Sequence, residues 1–155
     1  MIALGSDHAG FEYKEKIKTV LAELNIACRD FGANSKDSSD YPDFAHSVAQ
    51  AVSSGECDRG ILVCGTGIGM SIVANKHRGV RAAACESTTA ARLARQHNDA
   101  NILTLGERIT GWETAADIVR TFLTTDFQGG RHAKRIGKIQ PLKDSEMFKK
   151  EAEEG

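Results

Sequence analysis

The stretch of residues 60–69 constrains the fold more than any other part of the chain. Residues 61–64 form a short apolar run that ends in Cys64, and glycines follow at positions 65, 67 and 69. The run predicts a buried parallel strand, and residues 70–76 predict the start of a helix. Because glycine tolerates positive φ, successive backbone N–H groups can point into one concavity at the N-terminus of that helix. The stretch therefore predicts a phosphate- or oxyanion-binding turn that Cys64 faces.

The rest of the chain alternates in the same way between short apolar runs and amphipathic segments. Strands are expected at residues 2–6, 26–31, 61–64, 79–85 and 101–106, with the second nearer an edge of the sheet. Helices are expected at residues 11–24, 42–52, 70–76, 88–96 and 111–123, with Ser87 and Thr110 as N-caps of the last two. This alternation predicts a three-layer, Rossmann-like α/β domain whose five-stranded parallel sheet has helices on both faces.

Bulk composition narrows the class of protein. The 155 residues suffice for one domain with a substantial core, and a net charge of −1 gives no general reason to expect nucleic acid as a partner. The apolar runs fall far short of a membrane span and no signal peptide opens the chain, so a cytoplasmic protein is expected. The four cysteines have no C-x-x-C spacing, which favours reduced thiols over a disulfide framework or a zinc site.

Three common phosphate-handling patterns fail at Met70. A P-loop or a dinucleotide fingerprint that starts at Gly65 needs a glycine at position 70, and a cysteine phosphatase loop that starts at Cys64 needs an arginine there. What remains is a cysteine beside a ring of amides with no fixed cation next to it. This arrangement suits stabilisation of an oxyanion or an enediolate, with any phosphate held elsewhere.

Cations that could hold such a phosphate lie far from the glycines in sequence. Arg131 and Arg135 are four residues apart and share one face if helical, Arg108 follows the fifth strand, and His8 follows the first. A solvated basic face is the alternative interpretation of the arginine pair.

One histidine is a candidate for acid–base chemistry. His97 is expected in a loop after the fourth helix, beside Asn98, and imidazole changes its protonation near neutral pH. His46 and His77 are interpreted as structural.

Six short motifs occur together in one order and spacing. They are residues 5–10 (GSDHAG), 40–42 (DYP), 64–69 (CGTGIG), 74–76 (ANK), 95–99 (RQHND) and 129–132 (GGRH). Each is weak alone, but in register they closely resemble ribose-5-phosphate isomerase type B, of the family that also contains galactose-6-phosphate isomerase subunits. The resemblance implies a single sugar-phosphate isomerase domain at residues 1–140. Residues 141–155 form a charged extension outside it, expected to end as a short exposed helix.

The resemblance also implies an activity and a set of site residues. It implies reversible isomerisation of D-ribose 5-phosphate and D-ribulose 5-phosphate, a pentose phosphate pathway reaction that passes through ring opening and a cis-enediolate without metal or organic cofactor. The implied catalytic residues are Cys64 as the base, Thr66 as its support and His97 as the group that protonates the ring oxygen. The enediolate charge would be received by the amides of Gly65, Thr66, Gly67, Ile68 and Gly69. Other implied contacts are Asp7 and Asn98 to sugar hydroxyls, Tyr41 to the pocket wall, and His8, Arg108, Arg131 and Arg135 to the phosphate.

Some family members use a glutamate on the helix after the glycines as the base. Residues 70–76 contain no carboxylate, so the cysteine subtype fits this chain. The resemblance further implies a homodimer, or a dimer of dimers, whose active sites mix residues of both subunits. The arginine pair at 131 and 135, or the pair at 97 and 98, could act in trans, and the sequence leaves this open.

Three alternatives stay open at this point. The substrate could be a hexose 6-phosphate, such as that of allose or galactose, because pocket depth is not encoded in a motif. The chain could also be a non-catalytic phosphate- or nucleotide-binding module on the same scaffold. A cysteine hydrolase or redox enzyme is disfavoured by the missing Cys-x5-Arg and C-x-x-C patterns.

Overall fold

A five-stranded parallel sheet organises the chain. The computed structural model describes residues 1–139, and the expected extension at 141–155 lies outside them. The strands are β1 (Ile2–Ser6), β2 (Cys28–Asp30), β3 (Arg59–Cys64), β4 (Ala82–Ala84) and β5 (Ile102–Gly106). They pair in the order β2-β1-β3-β5-β4, and every pairing is parallel. The predicted α/β architecture is confirmed.

Six helices occur in the described part of the chain. They are α1 (Phe11–Glu23), α2 (Tyr41–Ser53), α3 (Ile68–Ala74), α4 (Thr88–Asn98), α5 (Trp112–Thr124) and α6 (Arg131–Ile136). Within residues 1–139, none of the helices is both long and apolar enough to cross a membrane.

Two N-caps distinguish what sequence pattern can and cannot locate. Ser87 caps α4 as predicted, since its Oγ accepts a hydrogen bond from the Ala90 N–H at 3.0 Å. The prediction for Thr110 is wrong, because Gly111 occupies the N-cap position of α5. Thr110 is buried instead, and its carbonyl accepts a hydrogen bond from the Tyr13 hydroxyl at 2.7 Å. Thr110 also donates its N–H to the Gly106 carbonyl at 3.0 Å, so it belongs to the turn before α5 and not to the cap.

Helices cover both faces of the sheet, as predicted. α1, α4 and α5 pack on one face in a core that includes Val63, and α2 and α3 pack on the other in a core that includes Leu62. Successive strand residues point to opposite faces, so these neighbours belong to different cores. This burial on both faces explains why the central strands are continuous apolar runs.

The edge strands are shorter than the sequence predicts. β2 and β4 each contain three residues instead of the expected 26–31 and 79–85. Among residues 1–139, each pairs with one neighbour, β2 with β1 and β4 with β5. Fewer backbone groups are therefore tied to the sheet at its edges.

A partly buried ion pair fastens α1 to β2. Lys14 is fully buried, and its Nζ donates to both carboxylate oxygens of Asp30, at 2.9 and 2.7 Å. Burial raises the pKa of Asp30, but hydrogen bonds from Lys14, Lys18 and the Gly32 N–H outweigh burial and hold the pKa below its usual value. Such a carboxylate stabilises the fold above the pKa of unfolded aspartate, about 4, and loses that contribution as pH falls through its folded pKa.

Replacing Asp30 with asparagine is expected to lower the free energy of unfolding by about 1.5–3 kcal/mol at pH 7, because Lys14 loses its charge-assisted hydrogen bonds to Asp30 and keeps Glu15, at 3.2 Å, as a carboxylate partner. The loss should shrink at acidic pH, where the unaltered chain also protonates Asp30. Urea unfolding at pH 7 and at the lowest pH that leaves both chains folded measures this. Asp117→Asn, at a side chain 65% exposed on α5, is the control. An equal loss at both pH values would contradict the role of the Asp30 charge.

Candidate active site

The turn between β3 and α3 brings the Cys64 thiol against a backbone amide. The Gly67 N–H donates to Cys64 Sγ at 3.1 Å, and Cys64 is only 5% exposed. Thr66 Oγ1 accepts from the Ile68 N–H at 3.2 Å, which holds this hydroxyl at the start of α3. An N–H that points at sulfur favours negative charge there. The turn can therefore support a thiolate at the end of a buried strand.

The helix after the turn begins earlier than the sequence predicts. α3 starts at Ile68, not at residue 70, because Gly67 adopts φ 77° and turns the chain directly into the helix. Gly69 thus lies in the first helical turn instead of the loop. A Cβ at Gly69 would come within 2.7 Å of the Tyr41 ring, so the glycine makes room for this tyrosine. Tyr41, the first residue of α2, is 40% exposed and borders the turn.

The turn after β5 is tied to the glycine turn. The backbone N–H groups of Glu107 and Arg108 donate to the carbonyls of Cys64 and Gly65, at 2.9 and 3.0 Å. A Cβ on Gly65 would lie 3.2 Å from Arg108 Nη1, so the guanidinium group lies over this glycine. The expectation of no fixed cation next to the cysteine is therefore wrong, because the turn after β5 brings Arg108 over Gly65, the residue that follows Cys64.

The turn after β1 lies at the same end of the sheet, where the strands have their carboxyl ends; this end is called the carboxyl edge below. Asp7 is 6% exposed, and its Oδ1 accepts the Gly10 N–H at 3.1 Å. His8 Nδ1 accepts the Ser39 N–H at 3.1 Å, so the neutral ring carries its hydrogen on Nε2. His8 can thus donate to an anion through the second nitrogen.

His97 and Asn98 lie at the opposite end of the sheet, where the strands begin; this end is called the amino edge below. The expectation of a loop at His97 is wrong, because both residues belong to the last turn of α4. Arg81, directly before β4, donates from Nε to the Asn98 carbonyl at 3.0 Å, which fixes this end of α4 beside the strand starts. Gly60 pairs with Ile102 at the start of β5. Cys64 lies four residues beyond Gly60 on β3, about 13 Å away at 3.3 Å per residue. The side chains of His97 and Asn98 therefore do not reach the Cys64 thiol of their own chain.

α6 joins the end of α4. The His132 ring stacks on the His97 ring with centroids 4.4 Å apart and an interplanar angle of 11°. Arg131 and Arg135, predicted to share a face if helical, both lie on this helix. The described chain therefore collects Asp7, His8, Tyr41, residues 64–69 and Arg108 at the carboxyl edge of the sheet. It collects His97, Asn98, Arg131 and Arg135 at the amino edge. Of the four expected phosphate contacts, two lie at each edge: His8 and Arg108 at the carboxyl edge, and Arg131 and Arg135 at the amino edge.

Comparison with known proteins identifies the family. A family profile described as Ribose/Galactose Isomerase matches residues 2–139. The chain belongs to this family. Ribose-5-phosphate isomerase B of Escherichia coli K12 is 46% identical, over 91% of this chain and 95% of that protein. A solved structure of ribose-5-phosphate isomerase B from Clostridium thermocellum is 56% identical with a TM-score of 0.87, and the match covers 89% of this chain and 93% of that chain.

A third relative has a different name. D-erythrulose-4-phosphate isomerase of Pectobacterium atrosepticum is 41% identical, over 89% of this chain and 91% of that protein. The resemblance drawn from the six motifs is confirmed at the level of the isomerase family, and the family includes proteins named for sugar phosphates of different length.

Two further residues of this isomerase-family chain, His132 and Glu107, lie beside expected site residues, although the sequence pattern predicted no role for them. Burial and the positive charge of His97 lower the pKa of His132, which follows Arg131 in the last of the six motifs. Glu107 Oε2 accepts the Tyr13 N–H at 3.3 Å near the start of α1, and burial raises the pKa of Glu107. Their only sequence signal was adjacency to an expected phosphate contact, Arg131 or Arg108.

Replacing Gly67 with alanine is expected to destabilise the protein more than replacing Gly55, by about 1–3 kcal/mol. Both glycines have nearly the same positive φ, 77° and 79°, so the backbone penalty is shared. A Cβ at Gly67 would meet the Leu105 backbone at 2.9 Å, whereas a Cβ at Gly55 would meet no atom of the described residues within 4 Å. Urea unfolding of the two variants measures the difference. Equal losses would show that conformation alone, and not this close approach, requires Gly67.

Proposed function

We propose that the chain is an aldose–ketose isomerase that interconverts D-ribose 5-phosphate and D-ribulose 5-phosphate. The observation that carries the proposal is the Cys64 thiol, held at the end of β3 against the Gly67 amide. Membership of the ribose/galactose isomerase family supports the reaction type. The relative named ribose-5-phosphate isomerase B in Escherichia coli, at 46% identity, supports the pentose substrate.

The chemistry of the proposal is a proton transfer between neighbouring carbons. Cys64, as thiolate, takes the proton from C2 of the open-chain aldehyde, and the electron pair forms the C1–C2 double bond while charge moves to O1. The N–H groups of Gly67 and Ile68 already donate within the turn, to Cys64 Sγ and Thr66 Oγ1, so the remaining amides of residues 65–69 would stabilise this enediolate. One such donor is typically worth about 3 kcal/mol. The thiol then returns the proton to C1 while the O2 hydroxyl proton passes to O1. No redox partner is consumed, and the cofactor-free mechanism stays an expectation.

The phosphate and the sugar hydroxyls would anchor the substrate on either side of this step. His8 Nε2 and the Arg108 guanidinium lie at the carboxyl edge and can donate to phosphate oxygens. Asp7 would hold a sugar hydroxyl, and Tyr41 would form the wall. Binding energy from a remote phosphate orients C1 and C2 against the base.

The amino-edge residues can take part only from a second copy of the chain. His97, as the ring-opening acid, and Asn98 lie a strand length away from their own Cys64. We therefore infer a homodimer in which the carboxyl edge of one chain faces the α4–α6 end of the other, with Arg131 and Arg135 completing the phosphate site in trans.

Exposed apolar side chains next to the site support this assembly. Ile68 and Ile72, one helical turn apart on α3, are 57% and 58% exposed. Exposed apolar surface of this kind marks protein–protein contact sites. The proposed assembly is a dimer.

The proposed location of the protein is the cytoplasm, because four free thiols fit a reducing compartment.

A substrate panel tests the proposed function. We expect the highest kcat/KM for ribose 5-phosphate among the phosphates of ribose, allose, galactose and erythrulose, and no loss of rate in EDTA. A hexose or tetrose phosphate as the best substrate would move the proposal to that chain length. Binding of a sugar phosphate or nucleotide by calorimetry without any turnover would favour the binding-module alternative. Inhibition by EDTA that added metal reverses would contradict the cofactor-free mechanism.

A further inference from the structure

Asp99 follows the proposed pair of His97 and Asn98 directly and has no role in the proposed function. It closes α4 in the left-handed conformation, with φ 45°. Its carboxylate lies between two guanidinium groups. Oδ1 accepts from Arg95 Nη1 at 2.8 Å, and Oδ2 accepts from Arg81 Nη2 at 3.2 Å. Asp99 therefore bridges Arg95, one turn earlier on the same helix, and Arg81, which precedes β4.

Arg81 holds the backbone of this helix end. Its Nε donates to the carbonyls of Asn98 and Asp99 at 3.0 and 3.1 Å, and its Nη2 donates to the Asp99 carbonyl at 2.9 Å. Carbonyl groups in the last turn of a helix have no partner within the helix, so the guanidinium group supplies what the helix lacks. The position of the Asn98 backbone is thereby fixed relative to β4.

Arg95 holds the same helix end from the interior. It is 4% exposed, and it donates to the Ala100 carbonyl at 2.7 Å and to the Thr125 carbonyl at 3.1 Å. A buried guanidinium group needs a compensating charge, and the Asp99 carboxylate supplies it. Without this carboxylate, Arg81 and Arg95 would face each other as two cations across the end of α4.

We propose that Asp99 is a positioning residue for His97 and Asn98. Its carboxylate holds the two arginines in the arrangement that fixes the end of α4, where the two side chains are presented to a second copy of the chain. The inference rests on the proposed function, in which that copy supplies Cys64. If the carboxylate stabilised only the fold as a whole, its loss would not affect the end of α4 more than the site around Cys64.

Asp99→Asn tests the proposal, because asparagine tolerates the left-handed conformation and keeps the size of the side chain while losing its charge. We expect isomerisation of ribose 5-phosphate to slow by on the order of 10- to 100-fold, as for other small displacements of catalytic groups. Arg81→Lys keeps a charge but loses the forked contacts to the backbone, and it should behave in the same way. Asp117→Asn, an exposed carboxylate paired with Arg120 on α5, is the matched control and should keep full activity.

Mixed dimers separate an effect on the helix end from an effect on the whole chain. In a dimer of Asp99→Asn with Cys64→Ala, one of the two sites combines an intact Cys64 with an intact helix end. An equal mixture should therefore recover about a quarter of the activity of the unaltered protein. A mixture of Asp99→Asn with His97→Asn should recover none, because both kinds of chain lack an intact helix end.

The inference would be overturned if Asp99→Asn kept full activity. It would also be overturned if Asp99→Asn regained activity with both Cys64→Ala and His97→Asn, or with neither of them. If Asp99→Asn does not fold, the same three outcomes for Arg81→Lys decide it. Failure of the proposed function is recognised separately, since a mixture of Cys64→Ala with His97→Asn would then recover nothing.

Discussion

Replacing Cys64 with alanine is expected to slow isomerisation of ribose 5-phosphate by about 10²–10⁴-fold, the usual contribution of a positioned general base. The thiol is the proposed proton acceptor, and its sulfur already accepts the Gly67 N–H at 3.1 Å. Alanine leaves the glycine turn and its amides in place, so substrate binding should change little. Steady-state kinetics with ribose 5-phosphate should therefore show a fall in kcat with a nearly constant KM.

Cys57→Ala is the control for this experiment. Cys57 is also buried, at 2% exposure, but it precedes β3 and lies at the amino edge of the sheet. It should lose a similar amount of stability and no activity. Thermal unfolding of both variants shows whether the fold is kept. If a folded Cys64→Ala retained more than about a tenth of the activity, another group would have to be the base.

Mixing two inactive variants is expected to restore activity. Cys64→Ala and His97→Asn remove groups at opposite edges of the sheet, and in a mixed dimer one of the two sites regains both groups. Random association makes half of the dimers mixed, so an equal mixture should recover about a quarter of the activity of the unaltered protein. Refolding the two chains together and assaying ribose 5-phosphate isomerisation measures this.

The double variant provides the opposite expectation. A chain that carries both Cys64→Ala and His97→Asn, mixed equally with unaltered chains, should leave about a quarter of full activity, because no mixed dimer then contains an intact site. If each chain built its own site, half would remain, and the first mixture would stay inactive. Verified mixed dimers without recovery in the first mixture would therefore contradict the shared site.

Local pattern predicted most of the secondary structure because its causes are local. The apolar run at residues 61–64 is buried on both faces, and Ser87 caps α4 as its position suggests. The misses have long-range causes. Thr110 lies in the turn before α5, where its carbonyl accepts a hydrogen bond from the Tyr13 hydroxyl, and Gly69 belongs to the first turn of α3 against the Tyr41 ring.

The error at His97 is the most instructive of these misses. The sequence shows His97 close to the start of a strand, which suggested a loop near the site. In a parallel sheet, however, the helix between two strands runs back from the carboxyl edge to the amino edge, so the end of α4 lies a strand length from Cys64. Proximity in sequence to a strand thus does not say which edge a residue occupies.

Residue types at fixed short spacings were enough to predict the isomerase family, the parallel α/β fold and the cysteine beside the glycine turn. The division of the candidate residues into two groups at opposite ends of the strands became visible in the folded chain. That division depends on contacts between residues distant in sequence, such as Arg81 with Asn98 and His97 with His132. It is also the physical reason why a complete site requires two chains in the proposed function.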